Sequence, residues 1–194
     1  MGDIEVPNPE DIEEQKASTI TKVGALTVAA FAVLLAITSL GGSNAGKEVL
    51  LNQQLASNQW AYYQAKTIRE NLYKLNKETL ELTLAERGET MNSAAKKAIE
   101  EKLKAAKEEE ARYNKEKKDI MKQAQGHEGV RDLNMKSDPY FDYGETLLQI
   151  AIVMASVAML AGSWPFYYAS LVVAVLGSFL SANGFFLFVE IPGL

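Results

Sequence analysis

The sequence predicts an all-α integral membrane protein: three transmembrane helices, with a long antiparallel coiled-coil helical hairpin between the first and the second. Three observations predict it. The chain is uncharged from Val23 to Gly46 and again from Thr146 to Val189. Between these stretches, apolar residues recur at alternating steps of four and three on a background of Lys and Glu. An uncharged apolar run of ~18 residues or more reads as a membrane span, and the four-three alternation reads as a coiled-coil seam.

Averages conceal this layout. The 194 residues carry 20 Lys+Arg, 25 Asp+Glu, a net charge of −5, and 47% hydrophobic side chains. The chain has no Cys, so disulfides, thiolate zinc sites and iron–sulfur clusters are excluded. One His excludes multi-His metal centres. No basic excess and no aromatic–basic interleaving point to nucleic acid.

Residues 1–21 read as an acidic tail, with Asp3, Glu5, Glu10, Asp11, Glu13 and Glu14 against Lys16. A signal peptide would begin with basic residues, so the first apolar segment is expected to stay as an anchor. That segment, 22–42, is the first span. Val23 to Leu40 at ~1.5 Å per residue covers about 27 Å, close to a bilayer core. Ala25, Ala29, Ala32 and Ala36 step by four, three and four, a small-residue face on which two membrane helices approach closely.

Gly41-Gly42-Ser43-Asn44-Ala45-Gly46 is expected to break the helix. With Lys47 it nearly forms a phosphate-binding loop, but Glu48 stands where a magnesium-binding Ser or Thr belongs. Residues 46–125 form the hairpin, with arms 46–87 and 90–125. In the first arm Ala61, Ala65, Ile68, Leu72, Leu75, Thr79 and Leu82 make a seam, and Tyr73, Leu80 and Leu84 are a surplus pointing to another copy or another protein. Gly88 stops the arm, and Thr90, Asn92 or Ser93 can cap the next. In the second arm Ile99, Leu103, Ala106, Glu110, Tyr113, Lys117, Ile120 and Ala124 keep the steps, interrupted by the two charges.

Residues 126–144 read as a loop, on the turn signals around Gly126 and Gly129 and on Ser137-Asp138-Pro139. A faint calcium-loop pattern from Asp132 lacks its Gly and its terminal Glu. Ser93-x-x-Lys96 matches an acyl-enzyme motif without its partner motifs. The second and third spans, 145–162 and 165–189, flank a turn at Gly162-Ser163-Trp164-Pro165. Ala155 and Ala158 on one, and Gly177 and Ser181 on the other, extend the small-residue packing. Asn183 is an intramembrane amide, read as an interhelical hydrogen bond or as a polar group lining a pore.

Three spans put the tail and the 162–165 turn on one side, and the hairpin and C-terminus on the other. Lys16 and Lys22 against Lys47, Arg131 and Lys136 do not choose the side.

The run Leu50-Leu51-Asn52-Gln53-Gln54-Leu55-Ala56-Ser57-Asn58-Gln59-Trp60-Ala61-Tyr62-Tyr63-Gln64-Ala65-Lys66 resembles the bacterial domain-of-unknown-function family numbered 4337. Leu148 to Val157 looks like that family's second membrane segment. The resemblance covers nearly the whole chain and implies a bacterial membrane protein of the same three-span layout, in the cytoplasmic (inner) membrane. It implies no activity.

The same run has a physical reading. Trp60, Tyr62, Tyr63 and Gln64, followed by Ile68, Leu72 and Leu75, are aromatics, amides and aliphatics of the kind that anchor interfaces. They either meet another chain or seal the hairpin against its own second arm. No nucleophile–base pair is visible, so no catalytic, cofactor or metal residue is assigned. The expected function is a non-enzymatic, self-assembling membrane scaffold. The alternatives are an accessory subunit docked on a membrane protein partner and an oligomeric channel component. The expected partners are the lipid bilayer and further copies of the chain.

Overall fold

In a computed structural model the described residues are 9–191, with side chains from residue 19. The described residues form three helices: α1 (Pro9–Arg87), α2 (Ser93–Ala161) and α3 (Trp164–Phe186). Residues 1–8 of the acidic tail lie outside the described residues, and from Pro9 the tail belongs to α1. Pro is tolerated there because a helix's first N–H has no partner to lose.

Two compact units divide the chain. Residues up to Val49 join those from Asp132 onward in one, and Leu50–Arg131 makes the other.

The second unit is an antiparallel hairpin. α1 ends at Arg87, where Gly88 N–H reaches Leu84 C=O at 2.9 Å, and Asn92 caps α2 by accepting from Ala95 N–H at 2.7 Å. The four-three residues of the second arm are the face α2 turns inward: Ala106, Tyr113, Ile120 and Ala124 are buried, and Ile99, Leu103, Glu110 and Lys117 are half-buried. On α1 the inward face is Asn52, Ala56, Tyr63, Lys66, Glu70, Tyr73, Lys77, Leu80 and Leu84. The surplus residues Tyr73, Leu80 and Leu84 therefore pack within the hairpin, and Ala61 to Leu82 face outward.

The loop expected over 126–144 is helical, and α2 runs through it without a break. Gly126 and Gly129 cost the helix about 1 kcal/mol each against Ala, a penalty that side-chain bonds to α1 offset. Glu128 accepts from Trp60 Nε1 at 2.8 Å, Arg131 donates to Gln53 at 2.8 Å, and His127 Nδ1 lies 3.0 Å from Asn52 Oδ1. Pro139 sits inside α2, where it forfeits a backbone hydrogen bond.

The first unit holds the three apolar helical segments, each long and apolar enough to cross a membrane. Its interior is built of small and hydroxyl side chains. α2 buries Leu148, Ala151, Ala155 and Ala158, and α3 buries Ser170, Ala174, Gly177, Ser181 and Asn183. α1 adds Ile20, Gly24, Phe31, Thr38, Gly41 and Ala45. The large apolar side chains, such as Leu26, Val33, Val153, Leu160 and Val172, point outward. A water-soluble bundle would do the reverse; in lipid, close backbone approach through small residues is what holds helices together.

The Gly41–Gly46 stretch does not break α1. A Cβ on Gly41 would fall 2.6 Å from Phe141 Cε1 and 2.8 Å from Phe185 Cζ, and one on Gly184 would fall 2.9 Å from Phe141 Cε1. These glycines are the notch that holds the Phe141 ring, so they shape a contact and not a turn. Among the described residues Gly162 is the one glycine in the left-handed region (φ 58°). There it ends α2, with Ser163 N–H returning to Ala158 C=O at 3.0 Å.

α3 stops at Phe186, three residues short of the expected end. Leu187 adopts a left-handed conformation (φ 49°, ψ 41°) and the chain folds back. The buried Asn183 amide donates to Val189 C=O (2.8 Å) and accepts from Val189 N–H (3.0 Å). Tyr140 OH accepts from Ile191 N–H at 3.0 Å.

Candidate interaction surface

The hairpin unit carries the most unusual distribution of chemistry. Its seam is half polar. Lys66 Nζ meets Glu116 Oε2 at 2.5 Å and Lys77 Nζ meets Glu110 Oε2 at 2.7 Å, both across the two helices. Lys117 pairs with the buried Glu70, whose other oxygen accepts from Asn114 Nδ2 at 2.7 Å. Tyr73 and Tyr113 stack between these pairs, centroids 5.6 Å apart and 20° from parallel.

The local fields follow. Burial alone would push the Glu70 carboxyl up, but the Lys117 and Asn114 hydrogen bonds and the Lys74 charge outweigh it and hold the group below its usual value. The Glu116 hydrogen bond raises Lys66, and Lys66 in turn lowers Glu116. Tyr113 is lowered by the cations beside it, Arg69 first and then Arg112, whose guanidinium lies 4.9 Å from the ring centroid.

With charges inside, the aliphatics lie outside. Ile68, Leu72, Leu75 and Leu82 are 61%, 60%, 60% and 62% exposed, and Ala61, Ala65 and Thr79 on the same stripe are exposed too. The sequence-predicted interface residues divide accordingly. Trp60 and Tyr63 are half-buried, in edge-to-face contact at 5.5 Å, with Trp60 bonded to Glu128 of the second arm. Tyr62, Gln64, Ile68, Leu72 and Leu75 face away from it. Lys66 Nζ stands 5.1 Å from the exposed Tyr62 ring.

The membrane-packing residues divide as well. Ala155, Ala158, Gly177, Ser181 and Asn183 are buried inside the three-helix unit, and Ala29, Ala32 and Ala36 lie on the outward face of α1. Two hydroxyl contacts join the helices: Thr27 to Tyr167 at 2.9 Å, and Thr38 to Ser181 at 2.8 Å. The first-arm residues missed from sequence, Glu70 and Lys77, had one available signal. Glu110 and Lys117 occupy seam positions of the second arm, and a charge in a seam requires an opposite charge facing it.

A family model described as a domain of unknown function (DUF4337) matches residues 20–187. The chain belongs to this family. The match spans the three apolar segments and the whole hairpin, so the outward stripe lies inside the family's domain. No curated protein and no solved structure matches the chain. Among the described residues no three His, Asp or Glu side chains group as a metal site would require.

Proposed function

We propose that this DUF4337 chain is a non-enzymatic membrane scaffold of the bacterial cytoplasmic membrane, whose hairpin assembles as a coiled coil with hairpins of other copies. The observation that carries this reading is the inverted hairpin: paired charges inside, and an uninterrupted stripe from Ala61 to Leu82 outside. A free hairpin with nothing to bind gains by the opposite arrangement. Full burial of a Leu or Ile contributes roughly 1.5–3 kcal/mol, so covering four side chains that are each about 60% exposed contributes roughly 4–7 kcal/mol per copy. Association costs roughly 4–15 kcal/mol, so two such stripes together are of the size needed. Anchoring both copies in one membrane raises their effective concentration and lowers that cost further.

The test is the mass of the particle extracted gently from native membranes. The expected result is an integer multiple of 21.3 kDa, reduced to the single-chain mass by Leu72→Glu with Leu75→Glu. A single-chain mass for the unaltered protein, or a particle containing a second polypeptide, would overturn the proposal; the latter outcome would make the chain an accessory subunit.

A further inference from the structure

A groove runs beside the outward stripe. Arg69, Leu72, Tyr73, Asn76 and Tyr113 line it, and the two Tyr rings are stacked. It lies entirely within the hairpin unit. Arg69 brings a guanidinium and Asn76 an amide to its lining, beside the Tyr113 ring.

The positions bordering the stripe are chemically selective. In the heptad that places Leu72 and Thr79 at a, and Ile68, Leu75 and Leu82 at d, the g positions are Gln64, Asn71 and Glu78. The e positions are Tyr62, Arg69, Asn76 and Thr83. Elsewhere the hairpin is dense in Lys and Glu; along these two borders only Arg69 and Glu78 are charged. A strongly acidic or basic partner would find almost nothing to pair with.

A second copy would find complementarity. Copies anchored by the same spans in the same membrane leave it on the same side at the same residue, so their stalks run parallel. In a parallel pair, each g position faces the e position five residues on in the other chain. Gln64 then faces Arg69, Asn71 faces Asn76, and Glu78 faces Thr83, with no like charges opposed. The same geometry sets Asn71 level with the gap between Arg69 and Asn76.

We infer that the stripe is covered by a second copy of this chain, parallel and in register, and that the groove beside Leu72 receives the second copy's Asn71. Its amide oxygen accepts from Arg69 and its amide group pairs with Asn76, and by two-fold symmetry the contact is made twice. The α1 stripes form the centre of the pair, and the charged α2 faces stay outside. This inference rests on the self-assembly proposed above and adds to it the partner, the orientation and the register.

The absence of Cys makes the test direct. Single variants Ile68→Cys, Leu72→Cys and Leu75→Cys are made in the full chain and oxidised in isolated membranes. The Cβ atoms must come within roughly 3.5–4.5 Å to bridge, so only parallel in-register pairing links all three positions each to itself. Each variant is expected to give a disulfide-linked dimer, and Lys104→Cys, on the exposed face of α2, none. Asn71→Lys, which places an ammonium against Arg69, is expected to weaken association at least tenfold. Adding Arg69→Glu to it is expected to restore association. Linkage between co-expressed Ala61→Cys and Leu82→Cys copies, without self-linkage at Ile68 or Leu75, would overturn the parallel register. A multimeric mass with no linkage at any stripe position would overturn this inference and leave self-assembly standing; a monomeric mass would overturn both.

Discussion

Gly177→Ala sets two effects against each other within one methyl group. In a helix Ala is favoured over Gly by about 0.8–1 kcal/mol, so backbone propensity alone predicts stabilisation. The structure predicts otherwise. A Cβ on Gly177 would lie 3.0 Å from Gly144 C=O, 3.0 Å from Leu147 Cβ and 3.1 Å from Leu148 Cγ. One of the two nearest atoms is backbone, the other a Cβ, and α2 must retreat by a few tenths of an ångström. Overpacking of this kind costs about 1–3 kcal/mol. The net is a loss between about zero and 2 kcal/mol, which at roughly 2–4 °C per kcal/mol lowers Tm by up to about 8 °C. Thermal unfolding in mild detergent, followed by Trp164 fluorescence in a Trp60→Phe background, reads this unit. Gly144→Ala meets the same obstacle from the other side, its Cβ 3.0 Å from Gly177 C=O and 3.1 Å from Ser181 N. The double variant is expected to lose less than the two singles together, because one separation of the helices relieves both contacts. The control is Gly129→Ala in the hairpin unit, whose Cβ meets nothing within 4 Å and which should gain the full propensity term when unfolding is followed by Trp60 fluorescence in a Trp164→Phe background. A Gly177→Ala variant that gained as much would refute the close approach of α2 and α3.

Three further outcomes follow from the geometry. Asn183→Leu removes both bonds to Val189, each worth about 0.5–1.5 kcal/mol, and hydrogen exchange should show the Val189 amide losing roughly tenfold or more protection. Glu70 titrates below its usual value in the folded chain, so its contribution is fully present above pH ~4.5 and is lost as pH falls through the lowered value. Acid titration of hairpin helicity should show a shallower decline for Glu70→Gln, and an unchanged slope would contradict the pairing. Asp138 behaves oppositely: burial first, then the Asp142 charge, raise its carboxyl, so ionisation costs stability above the raised value and the cost fades as pH falls. Asp138→Asn should therefore raise Tm at pH 7 and leave it unchanged near pH 3.

Much of this architecture was legible in residue order, and the gaps have physical causes. The second arm's inward face was readable because only one four-three series runs along it. The first arm carries two: an aliphatic series from Ala61 to Leu82, and a mixed series through Lys66, Glu70, Tyr73 and Lys77. Hydrophobicity favours the first, yet α2 takes the second because Glu110 and Lys117 need partners. Glycine misled in the other direction. Gly41, Gly42 and Gly126 look like breaks, but a helix accepts glycine where a neighbour needs the space or where side chains across the pair hold the turn. The end of α3 was hidden because nothing in Phe185-Phe186-Leu187-Phe188 signals a reversal; Asn183, four residues before the left-handed Leu187, supplies it.

The ring of Phe141 in its glycine notch also fixes where the helices stop relative to one another. A helix in lipid can slide along its neighbour in steps of about 1.5 Å per residue, and an aliphatic interface resists such sliding only weakly. An aromatic ring seated where Gly41, Gly42 and Gly184 leave out their side chains acts as a detent. One turn of travel would carry it against Thr38 or Ala45 on α1, and against Ser181 on α3. The three segments therefore have a single axial setting, and segments inserted one after another can find it by seating one ring.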